Sequence, residues 1–289
     1  MMPEMPIVDS HVHFWDPARL PLPWLEGLPE LNRRFLPEDF AAAAGDLEVA
    51  AMVFLECDVA PGRHREELAF VAGLAAEEPR IAAFVPHAPL ERGAAVEEDL
   101  AVLAADPRVR GVRRLLQQER DPAFCLRPAF LEGVRLLPRF DLHFEITVYH
   151  HQMESVVRLV EACPEVRFVL DHGGKPGIAA GLFEPWATHV RRLAGLPNIV
   201  CKLSGLVTEA DHHRWREEEI RPYIDHLLTC FGADRVMFGG DWPVVTLAAS
   251  YRRWVEIVER ALAGADAGDR RRIWQDNARR VYRLAEGHD

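Results

Sequence analysis

Paired cysteines are missing from this chain. Its five cysteines, Cys57, Cys125, Cys163, Cys201 and Cys230, lie far apart, and no Cys-x-x-Cys occurs. Neither a zinc knuckle nor a thioredoxin-type site is therefore expected, and the odd count suits free thiols in a reducing compartment. Positive charge is also short, with 34 Lys and Arg against 45 Asp and Glu and a formal net charge of -11. Nucleic acid and anionic membranes both need a basic footprint, so neither is expected as a partner, although a local Arg cluster still allows a small anionic ligand. No apolar run approaches a membrane span. The opening Met1-Met2-Pro3-Glu4 has no basic stretch followed by an apolar one, so no signal peptide is expected and the cytoplasm is the expected setting.

Two catalytic signatures are absent as well. The first strand is followed by Phe14-Trp15-Asp16-Pro17 rather than a Gly-rich phosphate loop, which argues against a doubly wound nucleotide-binding sheet. No Gly-x-Ser-x-Gly elbow supports a serine nucleophile. With no Ser/Gly linker and no internal repeat, one domain over residues 1–289 is expected.

What the chain does have is alternation. Short apolar runs predict strands at 7–13, 51–57, 81–85, 111–116, 142–148, 167–172, 199–203 and 235–238. Amphipathic stretches between them predict helices at 66–78, 95–105, 153–163, 184–196, 215–231 and 247–262. Strands alternating with helices make parallel βαβ units. Eight such units in 289 residues fit an α/β fold of the (β/α)8 TIM-barrel type. The Pro- and Leu-rich segment 16–39 reads as a long first βα loop, 117–128 as another, and 271–284 as a closing helix on the barrel exterior.

The chemistry is concentrated at strand ends. Strand one ends in His11-Val12-His13, and residues two apart on a strand share a face, so the two imidazoles suit one divalent metal. Strand six ends in Asp171-His172-Gly173-Gly174-Lys175-Pro176, and strand eight in Gly239-Gly240-Asp241-Trp242-Pro243. In a barrel these ends converge on one rim. The resulting N/O donor set suits zinc or manganese, and an Asp beside a metal is a ready base for water. Each motif alone has a bland reading, a satisfied imidazole or a turn carboxylate; their conjunction points to a hydrolytic centre.

Along strand five, alternation points His143, Glu145 and Thr147 into the barrel. A buried carboxylate needs a cation or a hydrogen-bonding partner, so Glu145 is either a metal-side residue or the partner of a buried base. Lys202 with Ser204, and Arg113 with Leu115 and Gln117, share inward faces. Lys202 and Arg113 suit oxyanion or substrate binding, against a salt-bridge alternative. The pairs His150-His151 and His212-His213 point apart and read as rim or solvent positions. Trp15, Trp24 and Trp242 fall on rim loops, as stacking faces for a ring or as core.

These motifs resemble the amidohydrolase-2 branch of the amidohydrolase superfamily over nearly the whole chain. The anchors are Asp9-Ser-His-Val-His-Phe-Trp-Asp16, Gly111-Val-Arg-Arg-Leu-Leu-Gln117, Phe168-Val-Leu-Asp-His-Gly-Gly-Lys-Pro176, Lys202-Leu-Ser-Gly-Leu-Val-Thr-Glu-Ala-Asp211, Met237-Phe-Gly-Gly-Asp-Trp-Pro243 and Asn277-Ala-Arg279. The run from Lys202 looks most like the sugar-lactonase group, the L-fuconolactonases and L-rhamnonolactonases. The resemblance implies a distorted barrel with one divalent metal that some members dispense with. It places His11, His13 and Asp241 on the metal side, His172 at the strand-six histidine position, and Asp241 as general base. Related branches carry a metal-binding His on strand five, where this chain has Glu145.

The expected function is hydrolysis of a lactone, sugar-derived by preference, to its hydroxy acid. Asp241, His172 and Lys202 are the expected catalytic residues, Arg113, Gln117, Trp15 and Trp242 the substrate-binding ones, and His11, His13, Asp241 and Glu145 the metal ligands. The alternative is a lactone of aromatic breakdown, of muconolactone or pyrone type, or a metal-dependent decarboxylation. The expected partner is a small-molecule lactone, with self-association left open.

Overall fold

Eight short parallel strands line up in chain order in the computed structural model, which describes residues 2–285. They are β1 (Ile7–Val12), β2 (Val49–Leu55), β3 (Ile81–Val85), β4 (Gly111–Arg113), β5 (His143–Ile146), β6 (Phe168–Leu170), β7 (Ile199–Leu203) and β8 (Val236–Phe238). The ladders form two arcs, β1-β2-β3 and β4 to β8. Single parallel bridges close the ring: Phe84 to Val109 and His87 to Arg113 on one side, Val12 to Trp242 on the other. The fold is a (β/α)8 barrel.

The helices on the outside are α1 (Pro37–Ala44), α2 (His64–Glu77), α3 (Glu97–Ala104), α4 (Pro128–Leu136), α5 (Met153–Ala162), α6 (Trp186–Ala194), α7 (Glu217–Phe231) and α8 (Tyr251–Ala261). Two of these, α1 and α4, fall where or just after loops were expected. Both begin with Pro at the first helical position, which has no amide to leave unpaired. Asp39 caps α1 by accepting the Leu36 amide at 2.9 Å. None of the described helices is long and apolar enough to cross a membrane.

Apolar side chains pack in two layers. The larger lies between strands and helices. The smaller fills the barrel interior with Val8, Ala51, Val53, Leu55, Ala83, Val85, Val169 and Met237, joined by Ala278 and Tyr282. The last two correct the expected place of the C-terminal segment. Helical residues Ala267–Arg271, Arg272–Asp276 and Asn277–Tyr282 do not lie wholly outside the wall, because the Tyr282 ring packs inside the barrel. There its hydroxyl donates to Glu145 Oε1 at 2.6 Å.

Strand β1 breaks strict alternation. Val8 points into the barrel, and alternation from it would send Ser10 inward and His11 out. A register shift between Asp9 and Val12 resets the phase, as a bulge does. Ser10 Oγ then donates to Phe238 O at 2.6 Å, and both His11 and His13 turn inward. Asp9 fixes the irregularity by accepting the His11 and Gly240 amides at 3.0 and 2.8 Å and the Tyr251 hydroxyl at 2.9 Å.

Candidate active site

At the C-terminal end of the strands lies a cavity of about 280 Å³, lined by His13, Arg113, His172 and Asp241 below and by residues of the βα loops above. Left-handed backbone is concentrated around it. Asp58, His172, Lys175 and Asp241 all have positive φ, between 42° and 54°, a conformation uncommon outside glycine. Such local strain is held by the surrounding fold and gathers at functional sites. At β6 it explains the early end of the strand: the chain leaves the ladder after Leu170, and His172, Gly173 and Gly174 curl back over the barrel mouth. Gly205 is required nearby, since a Cβ there would stand 2.5 Å from His172 Nδ1 and 3.0 Å from Asp241 Oδ2.

Three donors converge on the floor. His11 Nε2 and His13 Nε2 are 3.2 Å apart, and Asp241 Oδ1 is 3.7 Å from the first and 3.6 Å from the second. His13 Nδ1 lies 2.9 Å from Leu55 O. A carbonyl only accepts, so Nδ1 carries a proton, and Nε2 is the ring nitrogen turned toward His11 and Asp241. Two imidazole nitrogens at this distance need a proton or a cation between them. A point about 2 Å from all three donor atoms exists, the length of a zinc–nitrogen or zinc–oxygen bond. The residues therefore fit one divalent ion.

Asp241 is the ionised member. Burial raises its pKa, but the surrounding imidazoles of His172, His13 and His11 outweigh burial and hold it well below the carboxylate range. Burial, opposed by the Asp241 and Asp171 carboxylates, pushes His172 down to about 4. His172 Nδ1 lies 2.9 Å from Ser204 Oγ and 4.0 Å from Asp241 Oδ2. Burial and Lys202 also lower His11 well below its usual value.

Beneath the floor runs a buried chain of charge: Glu56, Arg113, Asp171, Lys202 and Glu145. Arg113 Nε donates to Glu56 Oε1 at 2.7 Å and Arg113 Nη1 approaches Asp171 Oδ2 at 3.4 Å. Lys202 Nζ lies 3.1 Å from Asp171 Oδ1, 3.3 Å from His11 Nδ1, and in contact with Glu145 Oε2. Burial alone would raise Asp171, but Lys202, His11 and Arg113 hold it well below its ordinary value. Thr147 Oγ1 donates to its other oxygen at 2.7 Å.

Three expected roles are corrected by this arrangement. Lys202 is fully buried and does not line the cavity, so its ammonium is a structural cation rather than a group that touches substrate. Glu145 is spent on Lys202, on the Tyr282 hydroxyl and on His143 Nε2 at 3.0 Å. It partners the buried base and stands apart from His13 and Asp241. One donor atom each from His11, Glu145 and Asp171 do lie within 4.8 Å of one another, but the Lys202 ammonium already occupies the place a cation would take. Trp242 is a core residue, packed edge-to-face on Phe35 and Phe40 with centroids 5.5 and 5.4 Å away; only its carbonyl serves the site, accepting the His13 amide at 2.8 Å.

Arg113, Gln117 and Trp15 do line the cavity, as does Trp24. His151 and His213 are exposed, while His212 Nε2 bonds Thr208 O at 2.9 Å. Sequence reasoning passed over Asp58, Gln118, Tyr149 and Lys175, which form the mouth, and Glu56 and Asp171, which orient Arg113. Asp171 was within reach, since it shares its face with the inward Val169 two residues before. Glu56 lies just past the end of β2 and carried no such signal.

The chain is similar to known proteins over its whole barrel. A family model described as Amidohydrolase matches residues 8–284. An L-fucono-1,5-lactonase of Burkholderia multivorans is 36% identical, covering 98% of this chain and 97% of that protein. An L-fucono-1,5-lactonase of Burkholderia ambifaria is 31% identical, covering 96% and 95%. The crystal structure of an amidohydrolase from Burkholderia multivorans with bound zinc superposes with a TM-score of 0.86 at 35% identity, covering 97% of this chain and all of that one.

Proposed function

The chain belongs to the amidohydrolase family, and from that premise we propose that it opens a sugar-derived lactone to the hydroxy acid, as an L-fucono-1,5-lactonase does. We read the whole chain as one catalytic barrel working in the cytoplasm. The observation that carries the reading is the convergence of His11, His13 and Asp241, with donor atoms 3.2–3.7 Å apart, where His13 and Asp241 line a cavity that opens to solvent and His11 lies buried just behind them.

His11, His13 and Asp241 would hold a divalent cation, which when bound supplies Lewis acidity to the reaction. Asp241, kept ionised by the imidazoles around it, takes a proton from the attacking water. The water oxygen bonds to the lactone carbonyl carbon, and the carbonyl oxygen gains negative charge. His172 faces that charge from the cavity floor. When the ring C–O bond breaks, Asp241 returns its proton to the departing alkoxide, and the hydroxy acid leaves with the base regenerated.

The cavity favours a neutral ring over a dicarboxylate. Both permanent cations in its lining are already paired, Arg113 with Glu56 and Asp171, and Lys175 with Glu209 at 3.3 Å. No spare positive charge among the lining residues awaits a substrate carboxylate. Trp24, half-buried at the cavity wall and backed edge-to-face by the buried Trp15 with centroids 5.5 Å apart, offers an aromatic surface to the C–H side of a sugar ring. A pH-indicator assay over aldonolactones and muconolactone-type compounds tests the reading. Turnover of aldonolactones is expected, and a preference for the acidic lactones would overturn it.

A further inference from the structure

Among the described residues, two acceptors at the cavity mouth have no protein donor, and one of them, on Gln117, is buried. Gln117 Oε1 is buried without a hydrogen-bond partner, and it lines the cavity. Asp58 lines the same cavity, and only its Oδ2 is engaged, by the Gln118 amide at 2.6 Å. Leaving buried acceptors unpaired is costly, and a ligand that brings O–H donors removes the cost.

Asp58 is also held in place more firmly than a surface carboxylate. Its backbone is left-handed, with φ 54°, and its amide donates to Glu56 Oε2 at 2.7 Å. Glu56 in turn is clamped by Arg113, the cation beside the reacting floor. The loop after β2 is thereby tied to the loop after β4 through Gln118, and its free Oδ1 stays at the cavity mouth without an entropic search. Burial and the neighbouring Glu56 raise the Asp58 pKa above its ordinary value, in keeping with a carboxylate set in a partly dry rim.

We propose that Asp58, seated by Glu56 and Gln118 and working beside Gln117, is the specificity residue that reads the hydroxyl groups of a polyhydroxylated lactone ring. The inference rests on the lactone-hydrolase reading and adds to it the substrate feature being selected: donors on the ring, not a carboxylate and not a bare hydrocarbon ring. A site built to accept hydroxyl donors rejects an analogue that lacks them, because Gln117 Oε1 is then left buried and unpaired.

The test compares kcat/KM for L-fucono-1,5-lactone and for unsubstituted δ-valerolactone in the wild-type enzyme, Asp58→Asn and Gln117→Leu. Asparagine tolerates the left-handed backbone, and thermal melts of each variant report folding. The wild type is expected to prefer the hydroxylated lactone by at least about 100-fold, and each variant to reduce that ratio at least about tenfold. A wild-type enzyme indifferent to the hydroxyls, or a ratio unchanged in folded Asp58→Asn, overturns the proposal while leaving lactone hydrolysis standing. Failure of the wild type on both lactones brings down the lactone reading itself, and this inference with it.

Discussion

His11 Nε2 and His13 Nε2 face each other across 3.2 Å, with a proton of His13 held on its other nitrogen by Leu55 O, 2.9 Å away. This turns His13 Nε2 toward the gap between the rings and gives the pair its affinity for a cation. In His13→Ala, bound zinc measured by elemental analysis is expected to fall from about one equivalent per chain to a small fraction. Full retention of the metal would show that it is held elsewhere.

Asp241 sits on left-handed backbone, a conformation that asparagine also accepts. Asp241→Asn should therefore fold normally and melt within a few degrees of the wild type. Its kcat is expected to drop by about 10³-fold or more, because the amide neither takes nor returns the proton. Near-normal turnover would remove Asp241 from the base role.

Gly205 has φ 60°, and any Cβ on it would stand 2.5 Å from His172 Nδ1. Gly205→Ala must push His172 and Asp241 out of register. A loss of about 100-fold in kcat/KM is expected, together with about 1–2 kcal/mol of stability from the strained backbone. An alanine variant with unaltered kinetics would show that the floor tolerates displacement.

Lys202 neutralises Asp171 and Glu145 in a place without solvent. Lys202→Met leaves Glu145 without a cation and Asp171 with Arg113 alone, and is expected to cost about 3–5 kcal/mol in denaturant melts. The double variant Lys202→Met, Glu145→Leu should recover part of that loss. Equal instability of the single and double variants would contradict the pairing.

Glu67 adds a pH dependence of its own to the stability. Burial first, then the nearby Glu56, pushes its carboxyl up to about 8. One oxygen accepts the Cys57 amide at 2.6 Å, and the other has no hydrogen-bond partner among the described residues. The unfolded chain releases this proton near 4.5, so the folded state binds more protons between about pH 4.5 and 8, and stability falls as pH rises through that window. Glu67→Gln lacks this fall. Its stability relative to the wild type should increase between pH 5 and pH 9 by about 1 kcal/mol or more. Parallel stability curves for the two proteins would count against a neutral Glu67.

Much of the barrel is legible because its signal is periodic. Each strand is a short apolar run and most helices are amphipathic, so their number and order follow from local pattern. Helices α1 and α4 escape that pattern, since each follows directly on a segment that reads as an irregular loop. Trp242 illustrates the limit at the site. A tryptophan beside a catalytic-looking Asp on a strand-end loop reads equally as a stacking face or as core, and only the positions of Phe35 and Phe40 decide for core.

By itself, the sequence determined which groups lie at the strand ends, because spacing of two on a strand and eight βα units place His11, His13, His172 and Asp241 on one rim. Tertiary structure alone decided which inward charges meet solvent. Alternation sends Lys202, Glu145 and Arg113 alike into the barrel, but depth along the barrel axis is not encoded in a period of two. Packing from Tyr282 below and the loops above set that depth, leaving Arg113 in the cavity lining and burying Lys202 and Glu145 as a pair beneath it.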